Sequence, residues 1–467
     1  MNILTSSISF PDVVGIVGLI ISLAVLIVLI FKRMPVIFAV PIAAVIAALT
    51  NWDSSGANIW PALTNFAVGT GTTFTQFLFV FLLSTVYGEL VAGLGMAQSI
   101  SNFFIKIFGK KAAPIVIIIT TALLVYGGVS AMVVAFTVAP IGISLLRKTN
   151  ISKKFLPALI ALGQSTFALT ALPGSPQVNN IIPTTYLGTT STAAPVLGII
   201  ASVILFGLGT VYLVWQINRS VKKGEGFEED LVPEQYKNKK DESEEKTPHI
   251  LVSFAPMVLL IILFIVLENV QFGSYQFSKQ YNGLASVCTA MFISIIFLVI
   301  YGVFFAKKKK ETFAIIKTGS VDWIDPLLNF AMIVGFGTVI QNLNGFMVLT
   351  NWVVGLGSNY LVAAITVCLL AGVTGSASGG LKIALNSNEL ITAWTSSNMN
   401  MGALHRIISV ASGGLDSLPH CGGILADLQV CGENHSRSYF HIFIVTVVIP
   451  IIATLVLVLL ASMGIVC

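Results

Sequence analysis

The residues best suited to chemistry are the few ionisable ones embedded in apolar sequence. Each is costly to hold there and is functional by default. Asp416 and His420 are the sharpest pair, at i and i+4 in the run Ser412-Gly413-Gly414-Leu415-Asp416-Ser417-Leu418-Pro419-His420. On a helix that spacing shares a face, and Pro419 with the preceding glycines favours a turn or a helix start. Either way a carboxylate lies beside an imidazole, a pair that can take up and release a proton near neutrality. The alternative role for Asp416 is to cap the half-helix that follows by accepting backbone N–H bonds. The two roles are compatible and stay open. Glu89, alone in an apolar span, is either a third proton carrier or a packing partner for a hydroxyl. Lys382 offers a positive charge to an anion, and Arg406 does so from nearer an expected aqueous end. Glu389, His405 and Asp427 fall in the same half, while His435 and His441 read as interfacial. His420, Cys421 and Cys431 match no common zinc spacing.

Something must position these groups, and an internal repeat shows what. The two halves carry the same broken apolar segments 246 residues apart: Gly109 recurs as Gly355, Ser130-Ala131 as Ser376-Ala377, and Leu172-Pro173 as Leu418-Pro419. Asp416 answers to Thr170 and Glu89 to Gly335, so the ionisable groups are not symmetric. In hydrocarbon every backbone N–H and C=O needs a partner, so irregular backbone survives only where protein or a polar cavity covers it. Gly costs roughly 1 kcal/mol relative to Ala in a helix interior, and Thr170 to Pro176 holds two prolines and a glycine. Small residues in membrane helices also serve close packing, a reading strongest for Gly127-Gly128 and weakest for Pro173 and Pro419. Paired breaks in two halves point to a secondary transporter and to its substrate site. Half-helix N-termini would aim free N–H groups and partial positive charge at the centre, which suits a carboxylate.

Composition agrees. The 467 residues are 55% hydrophobic and only 10% charged, with a mean hydropathy of +0.91, the profile of an all-α polytopic membrane protein. The basic excess is topological, so no nucleic-acid partner is expected. Five cysteines without a CxxC pair imply neither a disulfide framework nor a metal knuckle. No basic segment precedes the first apolar run, so it is expected to stay as a span rather than be cleaved.

Of the 25 Lys and Arg residues, 21 fall in six places: 32–33, 106–111, 147–154, 219–246, 307–310 and 317. The positive-inside rule puts all six in the cytoplasm. The first repeat (1–217) then begins outside, with spans at 13–31, 35–50 and 76–98 and further segments over 113–217. It crosses an odd number of times, so its copy (249–467) must be inverted. That copy has spans over 249–343, broken segments at 360–396 and 402–432, and a last span at 440–463. Whether 113–146 and 360–396 re-enter or cross is left open. Between the halves, 218–248 is a mixed-charge segment, expected to be a solvated cytoplasmic linker.

The run Ala171-Leu172-Pro173-Gly174-Ser175-Pro176-Gln177-Val178-Asn179-Asn180-Ile181-Ile182-Pro183-Thr184, with Thr374-Gly375-Ser376-Ala377-Ser378-Gly379-Gly380, resembles the gluconate permease (GntP) family of the ion transporter superfamily. The likeness covers nearly the whole chain. It implies proton-coupled uptake of hydroxy-carboxylates by a homodimer in a bacterial plasma membrane, with scaffold and transport domains working as an elevator. Carried over by motif, the substrate residues are Ser130, Ser376, Ser378 and Gly379 at one pair of tips, and Gly174, Ser175 and Asn179 at the other. The Asp416–His420 run departs from sugar-acid members and is similar to the branch associated with 3-hydroxybutyrate. A gluconate symporter is the alternative, and sodium coupling through hydroxyls around Ser130 and Ser376 cuts across both. An intramembrane enzyme using Asp416 and His420 would lack a neighbouring nucleophile and leave the repeat unexplained. No cofactor is expected.

Overall fold

Long apolar sequence becomes helix here, and the paired Gly/Pro/Ser breaks of the two halves fall at helix ends. The computed structural model describes residues 9–32, 34–51, 59–109, 112–129, 131–232, 247–269, 271–272, 275–277, 280, 284–321, 323–348, 358–419 and 421–467. The first half comprises α1 (Phe10–Phe31), α2 (Val36–Thr50), α3 (Ile59–Gly93), α4 (Met96–Phe108), α5 (Ala113–Tyr126), α6 (Ala131–Thr149), α7 (Leu156–Gln164), α8 (Val178–Leu187) and α9 (Pro195–Lys222). The second comprises α10 (Ile250–Asn269), α11 (Ala285–Ile300), α12 (Lys309–Gly319), α13 (Ile324–Gln341), α14 (Tyr360–Thr374), α15 (Ala377–Asn386), α16 (Asn388–Thr395), α17 (Met401–Ser412), α18 (Gly422–Val430), α19 (Phe440–Phe443) and α20 (Ile449–Ser462). A two-residue antiparallel ladder, β1 (Gln271–Phe272) with β2 (Tyr275–Gln276), is the only sheet among the described residues.

The repeat is visible element by element. Shifted by the repeat length, α5 falls on α14 and α7–α8 on α17–α18, while α6 covers the same stretch as α15 and α16 together. The extra division comes from Ser387, which N-caps α16 by accepting from Leu390 N. Likewise the 35-residue α3 answers to two pieces, α12 and α13. Five helical segments among the described residues are long and apolar enough to cross a bilayer: Ile59–Gly93, Pro195–Lys222, Ile250–Leu267, Ala285–Phe305 and His435–Ser462.

Contacts at the helix ends carry the inversion. Buried Lys153, just before α7, donates to Cys431 O at 2.5 Å and Gly432 O at 2.8 Å, just after α18, and pairs with Glu433 at 3.2 Å. At the opposite ends, Arg406 near the start of α17 donates to Ala193 O, beyond α8, at 2.9 Å. The start of each broken helix therefore meets the end of the other. Leu197 N of α9 also reaches Cys467 O at 3.2 Å, which brings the C-terminus to the α9 start.

Apolar burial divides into two clusters. One joins α1, α2, the first half of α3 and α13, through residues such as Leu26, Ala43, Phe66 and Phe336. The other unites the hairpins, broken helices and α9 with α10 and α11.

The charged segment after α9 is not simply solvated. Glu229 accepts from Arg147 Nε and Nη2 at 2.9 and 2.8 Å, and Glu225 takes Lys154 and the Ser220 hydroxyl. Glu228 holds Ser152 Oγ, Lys153 N and Arg437. Matching its acids to basic residues beside α6, α7 and α19 docks the segment through Val232. Residues 233–246 lie outside the described residues.

Candidate functional site

In the first repeat, α5 ends at Tyr126 and α6 starts at Ala131, with Gly128 at φ +97° in the turn. The α7 helix loosens into a π turn (Phe167–Ala171) and ends at Leu172, and α8 begins at Val178. A π turn beside a break is a recurrent functional-site device. Gln177 ties these two irregular segments together: its Nε2 donates to Val125 O at 2.6 Å and Val129 O at 3.1 Å. Tyr126 Oη adds a bond to Pro173 O at 2.9 Å. The backbone groups freed by the glycines and prolines thus find partners, as burial in hydrocarbon demands. Gly174 turns the chain at φ +73° and donates its N–H to Ser191 O. Ser175 is fully buried with its hydroxyl on Ala168 O at 2.7 Å. Ser130 lies outside the described residues.

In the second repeat, Gly375 closes α14 in the left-handed region at φ +57° and Ser376 N-caps α15, accepting from Gly379 N at 3.1 Å. Ser378 Oγ sits 3.4 Å from Ser376 Oγ. Ser376, Ser378 and Gly379 are thereby brought into one helix start. In the break between α17 and α18, Asp416 is 6% exposed and accepts from Ser417 Oγ at 2.9 Å. It does not cap the half-helix that follows. That helix starts at Gly422, and its N-cap Cys421 makes no side-chain cap bond. Leu415, next to Asp416, packs on Gly372 of α14, so this break lies against the last turn before the α14–α15 tip. His420 is outside the described residues.

The two halves meet at their breaks. Asn179, in the first turn of α8, donates to Ser412 Oγ at 3.0 Å, and Ser409 Oγ returns a bond to Asn179 O at 3.1 Å. Asn179 thus meets the α17 end directly, Ser175 O behind it is held by Asn180 Nδ2 at 2.9 Å, and the Asp416 break follows from Ser412. A small crevice opens beside this junction, lined by Gly128, Pro176, Gln177 and Val178 on one side and by Val80, Phe81 and Ser84 of α3 on the other.

Two candidates point elsewhere. The buried Lys382 ammonium is taken by Gln76 Oε1 of α3 and lies 4.7 Å from the Phe77 ring centroid, a cation–π contact. Glu89 lies on α3 with its Cβ and Cγ facing Gly319 at the end of α12. Among the described residues no group of three or more His, Cys, Asp and Glu could hold a metal ion.

Three polar groups had too little weight in the sequence. Arg406, expected near water, is fully buried and donates to Asn180 Oδ1 at 2.9 Å as well as to Ser191 O and Ala193 O. His405 beside it meets Thr189 Oγ1 at 2.7 Å and Asn180 Oδ1 at 3.3 Å. Asp427 is buried against Gln164. An ionisable residue inside an apolar run was the available signal, but its partners lie more than 200 residues away.

The sequence profile of GntP family permeases matches residues 14–404. The uncharacterized transporter YxjC of Bacillus subtilis (strain 168) is 32% identical over 443 residues, spanning 90% of this chain and 93% of its own. Among solved structures, the YdaH transporter of Alcanivorax borkumensis, noted for an unusual topology, aligns with a TM-score of 0.53 over 98% of this chain and 99% of its own, at 12% identity. That likeness concerns the fold.

Proposed function

The chain belongs to the GntP permease family and is a multi-pass membrane transporter; from that premise we propose that it carries a short hydroxy-monocarboxylate such as 3-hydroxybutyrate inward together with protons. The observation that carries this reading is Asp416. It is a buried carboxylate in the second repeat's break, next to the junction of the two broken helices, with the Ser417 hydroxyl as its side-chain partner. A carboxylate held this way can accept a proton in one state and release it in another. The substrate's own carboxylate suits the N-termini of α8, α15 and α18, whose first N–H groups lack intrahelical partners. The crevice at Pro176 and Gln177 has mostly apolar walls with few hydroxyls. Phe167 and Leu415 flank the breaks. These features favour a four-carbon acid over a sugar acid, which needs a partner for each hydroxyl.

Transport in this reading is an elevator movement of the hairpins and broken helices against α1–α3 and α10–α13, in a homodimer in a bacterial plasma membrane with the N-terminus outside. Sodium is the second reading. It is favoured by the oxygens gathered at the α14–α15 tip, where Thr374 Oγ1 lies 3.2 Å from Ser376 O and Ser376 Oγ 3.4 Å from Ser378 Oγ. Asp416→Asn tests the proton role. Gradient-driven uptake is expected to disappear while counterflow exchange persists, and uptake with an unchanged pH profile would remove Asp416 as a carrier.

A further inference from the structure

A second buried carboxylate stands apart from the substrate junction. Asp427, on α18, is 1% exposed, and both of its oxygens accept from one nitrogen, Gln164 Nε2, at 2.8 and 2.7 Å. Gln164 is the last residue of α7, just before the π turn that leads into the first break. Its other amide atom, Oε1, is buried without a hydrogen-bond partner. As an anion, then, Asp427 has only a neutral amide to answer its charge, and that amide leaves an acceptor stranded. Both are expensive in a low-dielectric interior.

One added proton removes both costs. A carboxylic acid and a primary amide can form a cyclic pair, in which the acid O–H donates to the amide oxygen and the amide N–H to the acid carbonyl. A small rotation of the Gln164 amide would present Oε1 and Nε2 together to the protonated Asp427. The two protonation states thus have different arrangements of the same side chains, and only the protonated one satisfies every polar atom of the pair.

The charged surroundings leave this group titratable. The elements packed on α18 are α6 and α7. On α7 there is no ionisable side chain, and on α6 only Arg147 and Lys148, both in the last turn. Arg147 is occupied by Glu229. At the two ends of its own element Asp427 faces the Cys431 thiol, which also feels Lys153 and Glu433, and the Cys421 thiol, which also feels Asp416. Lys153 is committed to Glu433 and to two carbonyls, and Arg437 to Glu228 and Glu433. No cation lies within ion-pair distance of Asp427 among the described residues.

We propose that the Asp427–Gln164 pair is a proton-holding site of the transport cycle, lying between the cytoplasmic Lys153–Glu433 cluster and the mid-membrane break that carries Asp416. The proton adds to an Asp427 oxygen, is held by Gln164 Oε1, and leaves to water when the pair is opened to the cytoplasm. This inference rests on proton coupling in the reading above. Because the pair links α7 to α18, protonation would alter the bond that holds the two broken helices together.

The test uses the full-length protein in proteoliposomes with labelled 3-hydroxybutyrate, comparing pH-gradient-driven accumulation with counterflow exchange across a range of pH. For Asp427→Asn the expected result is a loss of accumulation of about tenfold or more, with exchange retained and its pH dependence flattened. Asp427→Glu should restore accumulation, and Gln164→Leu should move the pH profile while leaving exchange measurable. Accumulation by Asp427→Asn with the wild-type pH profile would overturn the proposal. So would equal loss of both activities in Asp427→Asn, Asp427→Glu and Gln164→Leu, which marks a structural contact. Wild-type protein that exchanges substrate but never responds to the pH gradient would overturn proton coupling itself, and this inference with it.

Discussion

Asn179 and Ser412, 233 residues apart, are joined by a 3.0 Å hydrogen bond that links the first turn of α8 to the last turn of α17. Ser412 Oγ passes the bond on to Ser409 O at 2.7 Å, and Ser409 Oγ returns to Asn179 O at 3.1 Å. The ring closes across the repeat boundary, so the two breaks form one polar centre.

Removing that link should separate transport from folding. Ser412→Ala leaves the Asn179 amide without its acceptor and should cost about 1–3 kcal/mol of stability. Asn179→Asp keeps the shape but sets a buried carboxylate against Ser412 Oγ, beside the break proposed to dock an anionic substrate. Uptake by Asn179→Asp should fall by about tenfold or more, whereas Ser412→Ala, which loses the same bond, should keep measurable uptake. Uptake kinetics and thermal melts on the same detergent-purified samples check both expectations.

The left-handed glycine at the first break makes a separate prediction. Gly174 sits at φ +73°, and a Cβ there would meet Ile265 Cδ1 at 3.3 Å. Gly174→Ala should destabilise by about 1–2 kcal/mol. Gly207, on α9, has nothing within 4 Å of the same added atom. Gly207→Ala should be neutral or slightly stabilising, since Ala is the better helix former. Equal melting temperatures for the two variants would contradict the strain assigned to Gly174.

The docked acidic segment should release in acid. The hydrogen bond from Lys154, followed by that from Ser220, holds the Glu225 carboxyl below the usual carboxylate range. A depressed folded value means the contact stabilises above the unfolded carboxylate value of about 4.3 and is lost as pH falls through the folded one. Hydrogen exchange over residues 224–232, corrected for its intrinsic pH dependence, should quicken as pH falls below the unfolded carboxylate value of about 4.3. In Lys154→Gln the quickening should begin at higher pH.

Much of this architecture could be read from spacing alone. The repeat offset carried the element order, because matched Gly, Pro and Ser clusters end helices wherever they fall. Charge placement carried the inversion, which the Lys153–Gly432 and Arg406–Ala193 contacts express at the two ends. Partner choice was not legible. Lys382 sits three residues beyond Gly379, and linear proximity assigns it to the helix start. α3, however, packs against the side of α15 that carries the Lys382 side chain and supplies Gln76 and Phe77 as its partners. Arg406 looked close to water because it is six residues from Asn400, but the Asn180 amide and two carbonyls from the other half enclose it. The acidic stretch after α9 looked like a linker because its basic partners are scattered over 147–154 and 437. Gln177 gave no signal of its own, since an amide in a polar loop is unremarkable until its carbonyl partners are known.

The most direct test is uptake of labelled 3-hydroxybutyrate into proteoliposomes under an imposed inward pH gradient without sodium, with gluconate present as a competitor. Accumulation that collapses with a protonophore and resists gluconate is the predicted result. Accumulation that requires sodium, or that gluconate abolishes, would contradict the account: the first would move coupling to the Ser376 and Ser378 tip, and the second would make the substrate a sugar acid.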